Sequence, residues 1–166
     1  MLLGGGGGAH HRGVRVRQAV PTDAESIEAL YRDLVPGDNN IHVSPQRIAD
    51  LESDCHNRLL VIEVDQEVCG TAFLTICLDP MYSLHPYGVV ENVAVSPAQR
   101  GRGVGRPLMA AIEDEARGAK GTKLMLLSAA SRAEAHEFFN RMGFDGVKKR
   151  AFVKYLNRTE PLRSSG

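Results

Sequence analysis

Hydrophobic and polar positions change their period several times along the chain, and each change marks an element. Val14 to Val20 alternates valine with arginine and predicts an edge or half-buried strand. Thr22-Asp23-Ala24-Glu25 then has the form of a capping box, with threonine at the cap and glutamate three positions on, and Ile27, Leu30, Tyr31 and Leu34 continue at helical spacing until Pro36-Gly37-Asp38. Ser44-Pro45-Gln46-Arg47 opens a second helix to about Cys55, with Ile48 and Leu51 on its inner face. Leu59 to Val64 and Val68 to Leu78 are strand-like runs separated by Asp65-Gln66-Glu67, which predicts a hairpin, and Gly70 predicts a bulge or a close backbone approach. A loop, Asp79 to Gly88, leads into the β-branched run Val89 to Val95. Val104, Leu108, Ile112 and Ala116, four apart, form the inner face of a third helix. A strand follows from Lys123 to Ser128, then a fourth helix to Met142 stopped by Gly143, and two short strands, Phe144 to Lys148 and Ala151 to Leu156.

Composition adds few surprises to this alternation of strands and helices. A length of 166 residues suits one domain that buries about two thirds of its unfolded surface, expected here over 14–157. The ends differ: 1–13 holds five consecutive glycines, too costly in entropy to order without side chains to bury, and 158–166 is polar. Met1-Leu2-Leu3 is too short for a signal-peptide core, and His10-His11 on such a tail reads as incidental rather than as a metal site. With 20 basic and 20 acidic residues the net charge is zero, which gives no support to a nucleic-acid partner. No apolar run reaches the 18 or so residues of a membrane span. Cys55, Cys69 and Cys77 are odd in number and lack metal-ligand spacing, the pattern of reduced thiols in a cytoplasmic protein.

The chemistry is concentrated in Val89 to Ile112, which reads strand, glycine loop, helix. A helix N-terminus presents backbone N–H groups without intrahelical partners and about half a positive charge, and glycines let an anion approach them. The stretch therefore reads as a cradle for a pyrophosphate. A dinucleotide fingerprint needs G-x-G-x-x-G and an acidic residue about 20 positions on. Here the glycines stand at 101, 103 and 105, position 106 is arginine, and the next strand ends in serine. A G-x-x-x-x-G-K-[ST] phosphate loop is absent too. What fits is R-x-x-G-x-G, as Arg100, Gly103 and Gly105.

That motif resembles the coenzyme A signature of the GNAT superfamily of N-acetyltransferases. A second stretch, Ala135-His136-Glu137-Phe138-Phe139-Asn140-Arg141-Met142-Gly143-Phe144, resembles the family's A-x-x-F-Y-x-x-x-G-F except that Phe139 replaces the tyrosine. Together the two motifs extend the resemblance over about Val14 to Leu156. It implies an α/β (α+β) GNAT fold: a central mixed sheet of six to seven strands, about four flanking helices, and two parallel strands that splay apart at the cofactor. The implied cofactor is acetyl-CoA, released as coenzyme A. The implied acceptor is a small-molecule or protein amine, and a homodimer, common among similar proteins, is left open.

By the same resemblance, the backbone of Val93, Ala94 and Val95 holds the pantetheine arm and the amides of Gly101, Arg102, Gly103, Val104, Gly105 and Arg106 hold the pyrophosphate. Arg100 and Arg102 add charge, and Ser131 or Arg132 touches the cofactor. Pro107 is expected at about the fourth helical position, where it would shift the helix start. Strand alternation places Glu91, Val93 and Val95 on one side and Val90, Asn92 and Ala94 on the other. Glu91, a carboxylate among valines, pairs with an arginine or reaches solvent on one reading. On the other, favoured by the resemblance, it is the base or amine-orienting group, which slightly favours a cationic acceptor. The first two helices border the implied acceptor site, so Tyr31, Asp38 and His42 either contact the acceptor or are ordinary surface or core-edge residues, and Tyr82 lies on a loop that overhangs the site or is simply a proline-stiffened turn. His136 reads as structural. Phe139 has no transferable proton, so Tyr82, Tyr87, Ser131 or water must protonate the leaving thiolate, or it leaves unaided. The alternative is a coenzyme A-binding regulator with weak or no catalysis.

Overall fold

The computed structural model describes residues 13–156, so His10-His11, the run of glycines and the polar C-terminal stretch 158–166 lie outside it. The described residues form two compact units, one up to Leu126 and one from Leu127.

The first unit is built on a five-stranded sheet in the order β1-β2-β3-β4-β5. Its strands are β1 (Val14–Gln18), β2 (Asn57–Val64), β3 (Glu67–Cys77), β4 (Tyr87–Val95) and β5 (Leu124–Leu126). The first four run antiparallel to their neighbours, and β5 is parallel to β4. The β2–β3 hairpin turns on Asp65 and Gln66, both at positive φ (52° and 70°), the geometry of a tight two-residue turn. Gly70 meets both of its expectations: the ladder shifts register opposite it at Ile62/Glu63, and a Cβ there would lie 2.8 Å from Ile62 Cγ2 and 3.0 Å from the Ala94 carbonyl oxygen.

Helices cover both faces of the sheet. On one side α1 (Ala24–Leu34) and α2 (Pro45–Glu52) bury Ile27 and Ile48 with Leu59 and Val61 of β2. On the other, α3 (Gly105–Gly118) buries Leu108, Met109, Ile112 and Ala116, the stripe its spacing predicts. Ala116 reaches within 3.8 Å of where a Cβ on Gly88 would stand, which places Gly88 and its face-mates Val90 and Leu74 on this side. No described helix is long and apolar enough to cross a membrane.

The start of α1 differs from the capping-box expectation. Pro21–Asp23 forms a short 3₁₀ turn, and Asp23, not Thr22, supplies the cap, accepting the Val20 N–H at 2.8 Å. Arg17 explains the choice: its guanidinium bonds Asp23 at 2.7 and 2.9 Å and Glu63 at 2.7 Å, joining β1, β2 and the helix entrance. This pairing holds the buried Asp23 carboxyl below the usual carboxylate range.

The second unit contains α4 (Ala133–Arg141), and its end explains half of the motif around it. The Gly143 N–H donates to the Asn140 carbonyl and the Phe144 N–H to that of Phe139, both at 3.0 Å, with Gly143 at φ 88°. These are the paired bonds of a Schellman termination, and the Phe139 and Phe144 rings, 6.0 Å apart and edge to face, supply its apolar contact.

The sheet has five strands among the described residues, not the six or seven expected. Phe144 to Lys148 is not a strand because Asp145 Oδ1 accepts the N–H groups of Val147 and Lys148, both at 2.9 Å, and folds the segment into a turn. Ala151 to Leu156 forms no strand among the described residues. The expected strand Lys123 to Ser128 is shortened to β5.

Candidate active site

β4 controls the geometry of the first unit through one irregularity. Thr71 pairs with Ala94 and Phe73 with Glu91, so the single residue Ala72 faces two, Asn92 and Val93. This is a β-bulge, and Asn92 carries its strain at φ 54°, a conformation that asparagine tolerates better than most. The extra residue reverses the alternation beyond it. Glu91 shares a face with Phe73, whereas Val95 pairs with Gly70 and shares the face of Val90. The expectation that Glu91, Val93 and Val95 point one way is thus corrected, because strict alternation fails at a bulge. Glu91 is exposed, not buried in the valine run.

Pairing of β4 with β5 covers only Gly88, Val89 and Val90. From Glu91 to Val95, β4 is paired on its β3 side alone within the sheet. Where β4 ends, the chain turns through 96–104 into α3. Gly101 (φ 73°) and Gly103 (φ 80°) both adopt the left-handed conformation that glycine allows without cost. Among the described residues, the N–H groups of Gly101, Gly103 and Val104 donate to no backbone carbonyl, whereas those of Arg102 and Arg106, also expected at the pyrophosphate, donate to the Gln99 and Gly103 carbonyls of the turn, both at 3.3 Å. Pro107 is the third residue of α3, not the fourth. Its missing N–H is one of those left without an intrahelical partner at any helix start, so the helix begins undisturbed.

Arg100 has an additional part. Its Nε donates to the Val95 carbonyl at 2.9 Å, tying the loop to the end of β4 and occupying an oxygen expected to serve the cofactor arm. Arg100, Arg102 and Arg106 are exposed, and none is paired with a carboxylate among the described residues. Free amides, a helix N-terminus and three uncompensated guanidinium groups suit a pyrophosphate.

On the other face, a cavity of about 640 Å³ opens between α1, the 35–44 loop, α2 and the sheet. Tyr31 and Phe73 stand in its wall with Asn92, the neighbour of Glu91. Burial pushes the Tyr31 pKa up to about 12, so its hydroxyl remains neutral. The outer wall is held by Glu28, which sequence reasoning missed. Its carboxylate binds Arg32 at 2.7 Å, the Val43 N–H at 2.9 Å and His42 Nδ1 at 3.2 Å, and these donors hold its pKa down at about 2. The only hint in the sequence was its i,i+4 spacing to Arg32. His42 lines the cavity, whereas Asp38 binds Asn40 and lies outside the lining. Tyr82 is exposed on the 79–86 turn and is not in the cavity wall.

In the second unit, Ser131 and Arg132 are exposed at the start of α4. His136 Nε2 lies 3.0 Å from the Ala129 carbonyl, a bond that ties the preceding turn to the helix. Phe139 is buried, with its ring also 5.4 Å from that of Phe138.

Residues 24–144 match the acetyltransferase (GNAT) family. The chain belongs to this family. It is an acetyl-CoA-dependent N-acetyltransferase of amine substrates. The chain is 29% identical over 142 residues to an aminoglycoside N(6')-acetyltransferase type 1 of Stenotrophomonas maltophilia, covering 84% of this chain and 91% of the relative. It is 29% identical over 134 residues to an aminoalkylphosphonate N-acetyltransferase of Salmonella typhimurium, covering 78% and 83%. Among solved structures, a putative acetyltransferase from Agrobacterium tumefaciens superposes with a TM-score of 0.76 at 27% identity, covering 85% of this chain and 99% of that one. The α+β GNAT fold expected from the two motifs is therefore borne out, with five strands and four helices described.

Proposed function

We propose that this GNAT enzyme acetylates a primary amine by direct attack within a ternary complex, with the acetyl donor on one side of β4 and the amine on the other. The observation that carries the reading is the joint arrangement at the end of β4: an edge unpaired within the sheet from Glu91 to Val95, continuous with the free amides of Gly101, Gly103 and Val104 and with three arginines that meet no carboxylate among the described residues. The free amides of Gly101, Gly103 and Val104 hold the pyrophosphate, with charge from Arg100 and Arg102, and the backbone of Val93 and Ala94, with the Val95 N–H, holds the pantetheine arm. When bound, acetyl-CoA supplies a thioester, whose acetyl group is transferred and whose thiol departs.

The chain's own residues must provide a neutral amine and a site for the negative charge that develops on the carbonyl oxygen. Glu91, on the face of the cavity wall residue Phe73, accepts a proton from the acceptor ammonium, directly or through water. A backbone N–H near Val93 donates to the carbonyl oxygen. Phe139 provides no proton for the thiolate. A thiol of pKa about 8.5 leaves tolerably well unaided, and Tyr82, Tyr87, Ser131 or a water is the candidate to assist it. Ser131 and Arg132 are assigned to the cofactor on the resemblance of their motif alone.

Thermal unfolding with acetyl-CoA, for the parent and for Gly103→Glu, tests the cradle. A ligand at about 100 times its dissociation constant stabilises by about 2.7 kcal/mol. A shift in the parent that vanishes in folded Gly103→Glu supports the assignment. An equal shift in both variants would remove the pyrophosphate from this loop.

A further inference from the structure

We propose that the acceptor of this enzyme is a single amine on an apolar body, with no second positive charge, and that Arg47 at the cavity mouth enforces this choice. The inference deepens the function proposed above and rests on it, since it takes the α1/α2 cavity as the acceptor site.

Three observations support it. The cavity's walls are largely aliphatic and aromatic: Leu34, Ile41, Ile48, Leu51, Leu59 and Phe73. At about 640 Å³ it lies within the range of small-molecule sites. A polyhydroxylated, polycationic acceptor carries more polar groups than Tyr31, Asn40, His42, Ser44 and Asn92 can pair in this lining, and each group left unpaired against the apolar walls costs free energy.

The charges follow the same logic. Among the described residues, no aspartate or glutamate lines the cavity. Glu28, behind the outer wall, is already engaged by Arg32, His42 and the Val43 N–H. Glu91, beside Asn92 at the inner end, is then the carboxylate left for one ammonium group, and the other carboxylate at the mouth, Asp50, already holds the Gln46 amide and faces the Arg47 guanidinium. Arg47, the third observation, lines the cavity and is paired only loosely, at 3.9 Å, with Asp50. Its guanidinium repels a distal cation and attracts a distal carboxylate.

The test compares four acceptors: phenethylamine, 4-(aminomethyl)benzoate, spermidine and kanamycin. Thiol release from acetyl-CoA gives kcat/KM for each, and calorimetry gives their binding to the coenzyme A-loaded protein. The first two are expected to exceed the polycations at least tenfold in kcat/KM. Arg47→Glu, at an exposed position, is expected to narrow that ratio mainly through KM. Kanamycin or spermidine as the better acceptor would overturn the inference while leaving the N-acetyltransferase site intact. Absence of transfer to all four, with acetyl-CoA still bound, would instead defeat the proposed chemistry. Calorimetry then decides the inference alone: tighter phenethylamine upholds it, and tighter kanamycin ends it.

Discussion

The two sides of β4 are specified in different ways. The loop from Ser96 to Val104 is made of backbone: two glycines at positive φ, free amides and the start of a helix. The cavity on the opposite face is made of side chains drawn from α1, the 35–44 loop, α2, β2, β3 and β4. A backbone site accepts any ligand with the right phosphate groups, which suits one donor. A side-chain site can change with every substitution in its wall. The difference teaches why family membership identifies the donor here and leaves the acceptor to be read from the cavity.

If the division is right, substitutions on the two sides should separate donor from acceptor effects. The largest effect is expected from Glu91→Gln, which removes the proposed base but keeps its shape: kcat should fall by about 10² to 10⁴ with acetyl-CoA affinity unchanged. Rates within a few-fold of the parent across a pH series would return Glu91 to an ordinary exposed residue. Next is Gly103→Glu, measured against Gly103→Ala, which shares the strain at φ 80° but adds no charge. Only the glutamate should weaken acetyl-CoA binding by about 100-fold, or about 2.8 kcal/mol. Equal losses in both would assign the effect to the backbone.

A smaller effect is expected from Glu28→Gln, which loosens the outer cavity wall and should raise KM for the amine while leaving KM for acetyl-CoA unchanged. Its pH dependence has a definite sign. Because the folded-state pKa lies near 2, below the ordinary 4.5, the stabilising contribution is full above about 4.5 and is lost as pH falls towards 2. The KM difference should therefore persist from pH 8 to pH 5, as stopped assays over that range would report. The smallest effect is expected from Phe139→Tyr. A thiol leaves acceptably without an acid, so kcat should change by less than about threefold. A rise of tenfold or more would show that thiolate departure limits the parent enzyme.

Sequence reading served these regions unequally, for physical reasons. The glycine loop was legible because a left-handed turn before a helix demands particular residues at particular places. The amphipathic stripe of α3 and the β2–β3 turn were legible on the same ground. The bulge at Asn92 was not, because one extra residue in a strand changes no composition and breaks alternation only where the partner strand is known. Glu28 was missed because its role depends on Val43, 15 positions away, arriving beside it. The strand forecast at Phe144 to Lys148 failed because Asp145 closed a turn, a local bond that outweighs β-propensity. The motif ending at Phe144 was recognised as a pattern before its Schellman geometry gave it a cause.

The bulge also makes β4 a counting device. A regular strand returns to the same face every two residues, so the side on which it releases the chain depends on whether its length is odd or even. Asn92 supplies the odd tooth, turning Val95 to the α3 side while Glu91 stays with the cavity. Deleting this one residue, which also stands in the cavity wall, would restore a regular ladder and launch the glycine loop from the cavity face instead of the α3 side on which it now begins.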